Sequence, residues 1–285
     1  MEAAADPAVR PRRVAFSYDA TPWPWIPGDP FTTRTIDALS LLLPAGEQWF
    51  VDVYKEALPR VQDPALRATA RGFMGQEATH ARAHERLLAH LYRRGLDARP
   101  FTLRVEWLFG RLLGARPPIP MPRRAWLELR LGIIAAIEHF TCVLGDWILR
   151  AHALDQAGAD PSMLALLRWH GAEEIEHRAV AHDVLRHVAR WRSYPLRALG
   201  MLITVPALWF LMDRGARFLL RRDPATRARR FGYRDFVRAV RAGRLPGREL
   251  VRAIPRYLRP GHHPRDEGSM ELAQAVLGAR PASQR

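Results

Sequence analysis

The sequence predicts an all-α protein: a four-helix bundle over about residues 35–190, followed by a basic helical C-terminal extension. Three observations carry this. Apolar residues recur with helical periodicity almost throughout from Thr35 onward, and strand-like alternation between turn residues is hard to find. The punctuation is that of helices, with Asp-Pro steps where helices should begin. A chain of 285 residues that is 48% apolar and 26% charged holds a sizeable core, which excludes a disordered or fibrous protein.

The elements follow in order. Residues 1–34 form an N-terminal arm rich in Pro and aromatics (Trp23, Pro24, Trp25, Pro27, Pro30) that reads as extended chain packed on the body. The first helix starts near Thr35, is interrupted at Pro44 and continues from Glu47 to Leu58. Asp63-Pro64 caps a second helix that runs to Arg94, before Gly95. Pro117, Pro118, Pro120 and Pro122 make a linker to a third helix, about Arg123 to Leu154. Asp160-Pro161 repeats the cap and opens a fourth, expected to run unbroken to about Arg190. Residues 191–285 form the extension, with short amphipathic pieces around Phe236 and Ile254.

The formal charge of +15 is confined to one part of the chain. Residues 1–185 are balanced, whereas residues 186–285 hold 22 arginines against 7 acidic residues. That part also contains the uncharged run 198–212, flanked by Arg190, Arg192 and Arg197 and by Arg214, Arg217, Arg221 and Arg222. The run is shorter than the roughly 20 residues a spanning helix needs, and Pro206 falls within it. It suits a shallow hairpin or interfacial helix on an anionic membrane surface, with a fifth helix buried against the bundle as the alternative. Nucleic acid is not expected as a partner, because no aromatic-basic interleaving accompanies the charge. The single cysteine, Cys142, excludes a disulfide framework or a thiolate metal cluster. The start of the chain has no apolar run, so a cytoplasmic location is expected, peripheral on the inner membrane face if the apolar run meets lipid.

Chemistry is concentrated in two repeats of one motif. The second helix carries Glu77-x-x-His80 and the fourth Glu174-x-x-His177, each placing a carboxylate and an imidazole on one helical face. With 14 Glu and 11 His, random placement gives about half of one such pair, and two occur. The first and third helices each offer a Glu in an apolar setting, Glu47 and Glu138. Glu138 follows Ile133 to Ile137, where an unpaired carboxylate is costly to bury. The order Glu, Glu-x-x-His, Glu, Glu-x-x-His is the arrangement by which a four-helix bundle binds two metal ions in its core. His170, one turn before Glu174, offers another imidazole. His84 and Asp146 share faces with ligands and are placed to hydrogen-bond and orient them. Glu173 and Glu176 point away from the ligand stripe and are expected to be solvated or paired with arginines.

The stretches Gln76-Glu77-Ala78-Thr79-His80-Ala81-Arg82-Ala83-His84 and Trp169-His170-Gly171-Ala172-Glu173-Glu174-Ile175-Glu176-His177-Arg178 resemble those of a bacterial family described as predicted metal-dependent hydrolases. The likeness extends from about residue 15 to residue 260. The ligand order, His170 included, is also similar to that of di-iron arylamine N-oxygenases, which act on p-aminobenzoate-like substrates. That second resemblance covers only the ligand positions and implies Glu47, Glu77, His80, Glu138, His170, Glu174 and His177 as ligands; the bundle expected to hold them is ferritin-like.

Carboxylates and imidazoles without thiolate suit two metal ions, with iron favoured and manganese or zinc as alternatives. The leading expectation is a di-iron enzyme that activates O2 to oxidise or oxygenate a small-molecule or lipid-like substrate, drawing on an external electron donor. A metal-dependent hydrolase using a metal-bound hydroxide is the alternative, and a non-catalytic metal-binding or storage bundle a further one. Glu138→Ala and Glu174→Ala are each expected to abolish metal loading with helix content kept, and Glu173→Ala to do little.

Overall fold

The computed structural model describes residues 9–278, and every regular element among them is helical. Residues 9–29 run without helix along the body and bury Trp25 and Ile26 completely. The first helix, α1 (Pro30–Ser40), starts earlier than Thr35 because the Asp29 carboxylate caps it, accepting from the Thr32 amide at 3.1 Å. Pro44 does not interrupt this helix. The chain breaks at Leu41 and Leu42, and Pro44 sits in the first turn of α2 (Leu43–Ala57), where a missing N–H costs nothing.

Asp63 caps α3 (Pro64–Arg93) by accepting from the Ala65 and Leu66 amides. The helix ends where Gly95 turns to φ +87° and the Leu96 amide reaches back to the Leu91 carbonyl. Next comes α4 (Arg99–Trp107), which runs into a π-turn at Leu108–Leu112. The indoles of Trp49 and Trp126 donate to the Leu113 and Gly114 carbonyls, both at 2.7 Å, and so hold the chain beyond that turn.

The central helix is α5 (Arg123–Arg150), followed by the short α6 (His152–Gln156). Asp160 caps α7 (Pro161–Glu176) through the Met163 amide. The fourth helix is not continuous to Arg190. The backbone leaves the helical path at His177 and resumes as α8 (Val180–Ala189). The Arg178 guanidinium folds back to donate to the Ile175 carbonyl at 2.7 Å, satisfying a buried carbonyl at the end of α7.

The uncharged run lies within α9 (Ser193–Arg222), which passes through Pro206 without breaking. Pro206 and Leu202 both face outward, so the carbonyl that loses its helical donor there is open to solvent. The chain closes with α10 (Tyr233–Arg241), α11 (Arg248–Tyr257) and α12 (Met270–Gly278).

Two glycine contacts set how the central helices cross. Gly145 on α5 faces Gly171 on α7, where a Cβ on Gly171 would stand 2.7 Å from Ile148 Cγ2 and 2.8 Å from Gly145 Cα. Gly132 on α5 faces Gly200 on α9 closely enough that a Cβ on either would overlap backbone of the other helix. Both sides of α5 are therefore packed at backbone distance, and its Ile133–Ala136 segment is fully enclosed.

Candidate metal centre

Each of the seven expected ligands is buried; six of them form two donor groups that share His80, and Glu138 stands outside both, against His177. Glu47 comes from α2, Glu77 and His80 from α3, Glu138 from α5, and His170 and Glu174 from α7, with His177 just past its end. Ligand atoms of Glu77, His80, Glu174 and His177 all lie within 4.8 Å of one another, as do those of Glu47, His80 and His170. Glu77 Oε1 is 3.5 Å from His80 Nδ1 and 3.3 Å from His177 Nε2. Glu174 Oε1 is central: it stands 2.8 Å from His170 Nε2, 3.6 Å from His80 Nδ1 and 3.9 Å from His177 Nε2. His170 Nε2 is also 3.5 Å from Glu47 Oε1, and Glu138 Oε2 is 3.0 Å from His177 Nδ1.

Eight buried atoms of this group have no hydrogen bond: both oxygens of Glu47 and of Glu77, His80 Nδ1, Glu138 Oε1, Glu174 Oε2 and His177 Nε2. A buried polar atom without a partner costs on the order of 1–3 kcal/mol. Eight that converge are explained by a cation, which uses the lone pairs the protein leaves open. The donor set of carboxylates and imidazoles fits iron, manganese or zinc.

Residues behind the ligands fix which nitrogen faces inward. His80 Nε2 is 2.9 Å from Glu173 Oε2, so Nε2–H donates to that carboxylate and the Nδ1 lone pair is turned to the cluster. Arg12, from the N-terminal segment, donates to Glu173 at 2.8 Å and to both oxygens of Glu176 at 2.7 Å. Gln76 joins Glu176 to the Arg10 carbonyl. That segment lies directly on α3, where a Cβ on Gly72 would overlap the Val9 carbonyl. Glu173 and Glu176 are thus paired with an arginine, but neither is solvated, because both are buried. The expectation that Glu173→Ala does little is corrected on this ground.

A second chain supports His170. Its Nδ1 lies 2.8 Å from His84 Nε2, and His84 Nδ1 lies 2.8 Å from Ser40 Oγ. His170 Nε2 hydrogen-bonds Glu174 Oε1 at 2.8 Å; donation from His170 Nδ1 to His84 and onward to Ser40 would instead free the Nε2 lone pair for a cation. Asp146 does not take part. It pairs with Arg150 at 3.0 Å and accepts from the Ser269 amide, so the shared face with Glu138 does not extend to shared surroundings.

Sequence reasoning left several neighbours unassigned. Phe73 stands edge-on to His177 at 4.9 Å and lies tilted against Tyr54 at 4.7 Å. Trp169 stands edge-on to His80 at 5.0 Å. His139 bonds the Ala253 carbonyl of α11, and His182 pairs with Asp183, which also meets His263. A cavity of about 290 Å³ opens beside His182, Arg186, Arg197 and His263, and none of the seven ligands lines it.

Burial and mutual charge set the ionisation of the ligands. Burial raises Glu138, helped by the Glu174 charge and opposed by His177, which leaves it pushed up to about 8. Glu47 is raised well above the carboxylate range by burial and by Glu77. Burial alone would raise Glu174 too, but the charges of His177 and His170 and the His170 hydrogen bond hold it low. Burial disfavours the charged form of His177, yet Glu174 and Glu138 outweigh it and lift the imidazole to about 9. His84 is pushed well below its usual range by burial and by His170.

A family model described as "Predicted metal-dependent hydrolase" matches residues 10–268, and so takes in the whole cluster and Arg12. No curated protein and no solved structure matches the chain.

Proposed function

Because the chain belongs to the family of predicted metal-dependent hydrolases, we propose that it cleaves its substrate with water activated at the buried His/Glu cluster. The observation that carries this reading is the convergence of eight unpartnered polar atoms in one enclosed place. A divalent cation held there would supply Lewis acidity and would lower the pKa of bound water to about 7. The chain's own groups do the positioning. Glu173 holds the His80 ring with Nδ1 inward, His84 does the same for His170 Nε2, and Glu174 stays ionised at the centre. Phe73 and Trp169 stand edge-on against the His177 and His80 rings and help to hold them in place.

A second reading has one observation in its favour. The two donor groups meet at His80 and together offer more ligands than a single four-coordinate ion uses. This supports a pair of ions, and with iron it supports oxidation by O2 driven by an external electron donor.

One experiment separates the readings. Metal content is measured on protein loaded with zinc, manganese or ferrous ion, and cleavage of chromogenic carboxylic and phosphoric esters is followed without oxygen. Anaerobic cleavage that is lost in Glu174→Ala is the expected result. Oxygen uptake by the ferrous protein, with no anaerobic cleavage, transfers the site to oxidation. Failure to bind any metal overturns both.

A further inference from the structure

Two helical regions are apolar and long enough to cross a membrane by length and composition, and they differ in where they sit. The apolar window of α5 is 72% buried, whereas the one within Pro161–Arg222, which contains the uncharged run, is only 22% buried. The inner face of α9 (Gly200, Met201, Thr204, Ala216, Leu219) packs on the body. Its outer face repeats Leu199, Leu202, Ile203, Trp209 and Phe210 at helical spacing, with Leu202, Trp209 and Phe210 each more than 60% exposed. An apolar stripe this continuous on the surface of a chain marks an interaction site.

Charge tells what covers it. The same stripe continues past Phe210 into exposed Arg214, Arg217 and Arg221. Phe236 of α10 lies 5.9 Å from the Trp209 ring and brings exposed Arg234, Arg238 and Arg241 alongside. Arg217 pairs with Asp213 and Arg238 with Asp235, but Arg214, Arg221, Arg234 and Arg241 have no acidic partner among the described residues. A second copy of the chain would oppose these arginines with its own, so the fitting surface is apolar in its middle and anionic at its rim.

We propose that the outer face of α9, with the arginines of α9 and α10, docks on a bilayer containing anionic phospholipid. The helix lies in the interface and does not cross it, because Gly200 is locked against Gly132 of α5 and the inner face never leaves the protein. Trp209 and Phe210 enter the acyl boundary while the arginines meet headgroup phosphates. This inference is independent of the metal centre.

The test is co-sedimentation of the full chain with phosphatidylcholine vesicles and with vesicles containing a quarter phosphatidylglycerol. Binding is expected to the anionic vesicles, weakened at high salt. Trp209→Ser with Phe210→Ser removes the apolar contact at exposed positions. Arg214→Glu with Arg221→Glu is expected to lower partitioning by at least about thirty-fold, given roughly a fivefold loss per arginine at an anionic surface. Far-ultraviolet circular dichroism and melting verify that both variants fold. No binding to anionic vesicles overturns the proposal, as does undiminished binding by both folded variants. A dimer seen by sedimentation velocity that Trp209→Ser/Phe210→Ser dissolves, in a protein that ignores vesicles, assigns the face to a second copy instead.

Discussion

At His80 the two ring nitrogens have different tasks, one turned to the cluster and the other held by Glu173. Removing the outer partner frees the ring to rotate and to change tautomer, so Glu173→Gln is expected to weaken metal affinity by about 10–100-fold. Equilibrium dialysis against zinc or manganese, with circular dichroism to show retained helix, measures it. Glu174→Ala should abolish loading outright, since its Oε1 approaches three imidazoles. The Glu-x-x-His pairs were legible because both members lie within one turn of one helix. Glu173 was not, because a helical wheel gives its direction but not its surroundings. Its partner Arg12 lies 161 residues away in an arm that no periodicity describes.

Among the elements, the α5–α7 crossing governs the site most directly. Glu138 precedes Gly145 by two turns and Glu174 follows Gly171 by less than one, so the glycine contact sets how near the two carboxylates come. Gly171→Ala forces the helices apart and is expected to cost roughly 1–3 kcal/mol of stability. Its metal loading should fall with it, read from urea midpoints and metal content of the same preparation. Another joint ties the start of the chain to the end of α9. Arg34, fully buried, donates to Asp37 at 2.8 Å and to Asp223 at 2.9 Å. Arg34→Met leaves two buried carboxylates without their cation, and a loss of about 3–5 kcal/mol is expected in thermal or urea unfolding. The Asp-Pro caps made the starts of α3 and α7 readable from sequence alone. The α7–α8 break was not readable, because no Gly or Pro marks it and it depends on Arg178 turning back to Ile175. The start of α4 is marked more faintly, by Pro100 in its first turn and by Asp97, which accepts from the Arg99 amide, with no side-chain bond at the cap position itself.

For the whole molecule, acid is the informative variable. Burial pushes His139 down to about 3 and His262 to about 4, both from 6.5. Below pH 6.5 the unfolded chain takes up these protons first, so their contribution to stability is full above that pH and declines below it, while the raised Glu138 and His177 act in the opposite sense. The decline levels off near pH 3–4. It amounts to about 1.4 kcal/mol per pH unit from His139 and is confined to a narrower pH range for His262, whose shift is smaller. Urea unfolding at pH 7 and pH 5 checks the sign: the wild type should lose more stability than His139→Gln over that interval. The charge imbalance was visible in composition, and the exposure of α9 needed the packing of its inner face to be seen.

The Arg12–Glu176 contact spans 164 residues. At about 5–20 residues per second of synthesis, roughly 8–33 s separate the two partners on the ribosome. Once Glu77 and His80 have been made, they lack both Glu174 and the brace behind the imidazole for the remainder of that interval. The centre is therefore assembled only after most of the chain has emerged, and a nascent fragment ending before α7 has half a cage. Cation uptake is then a late step in the life of the polypeptide, timed by topology.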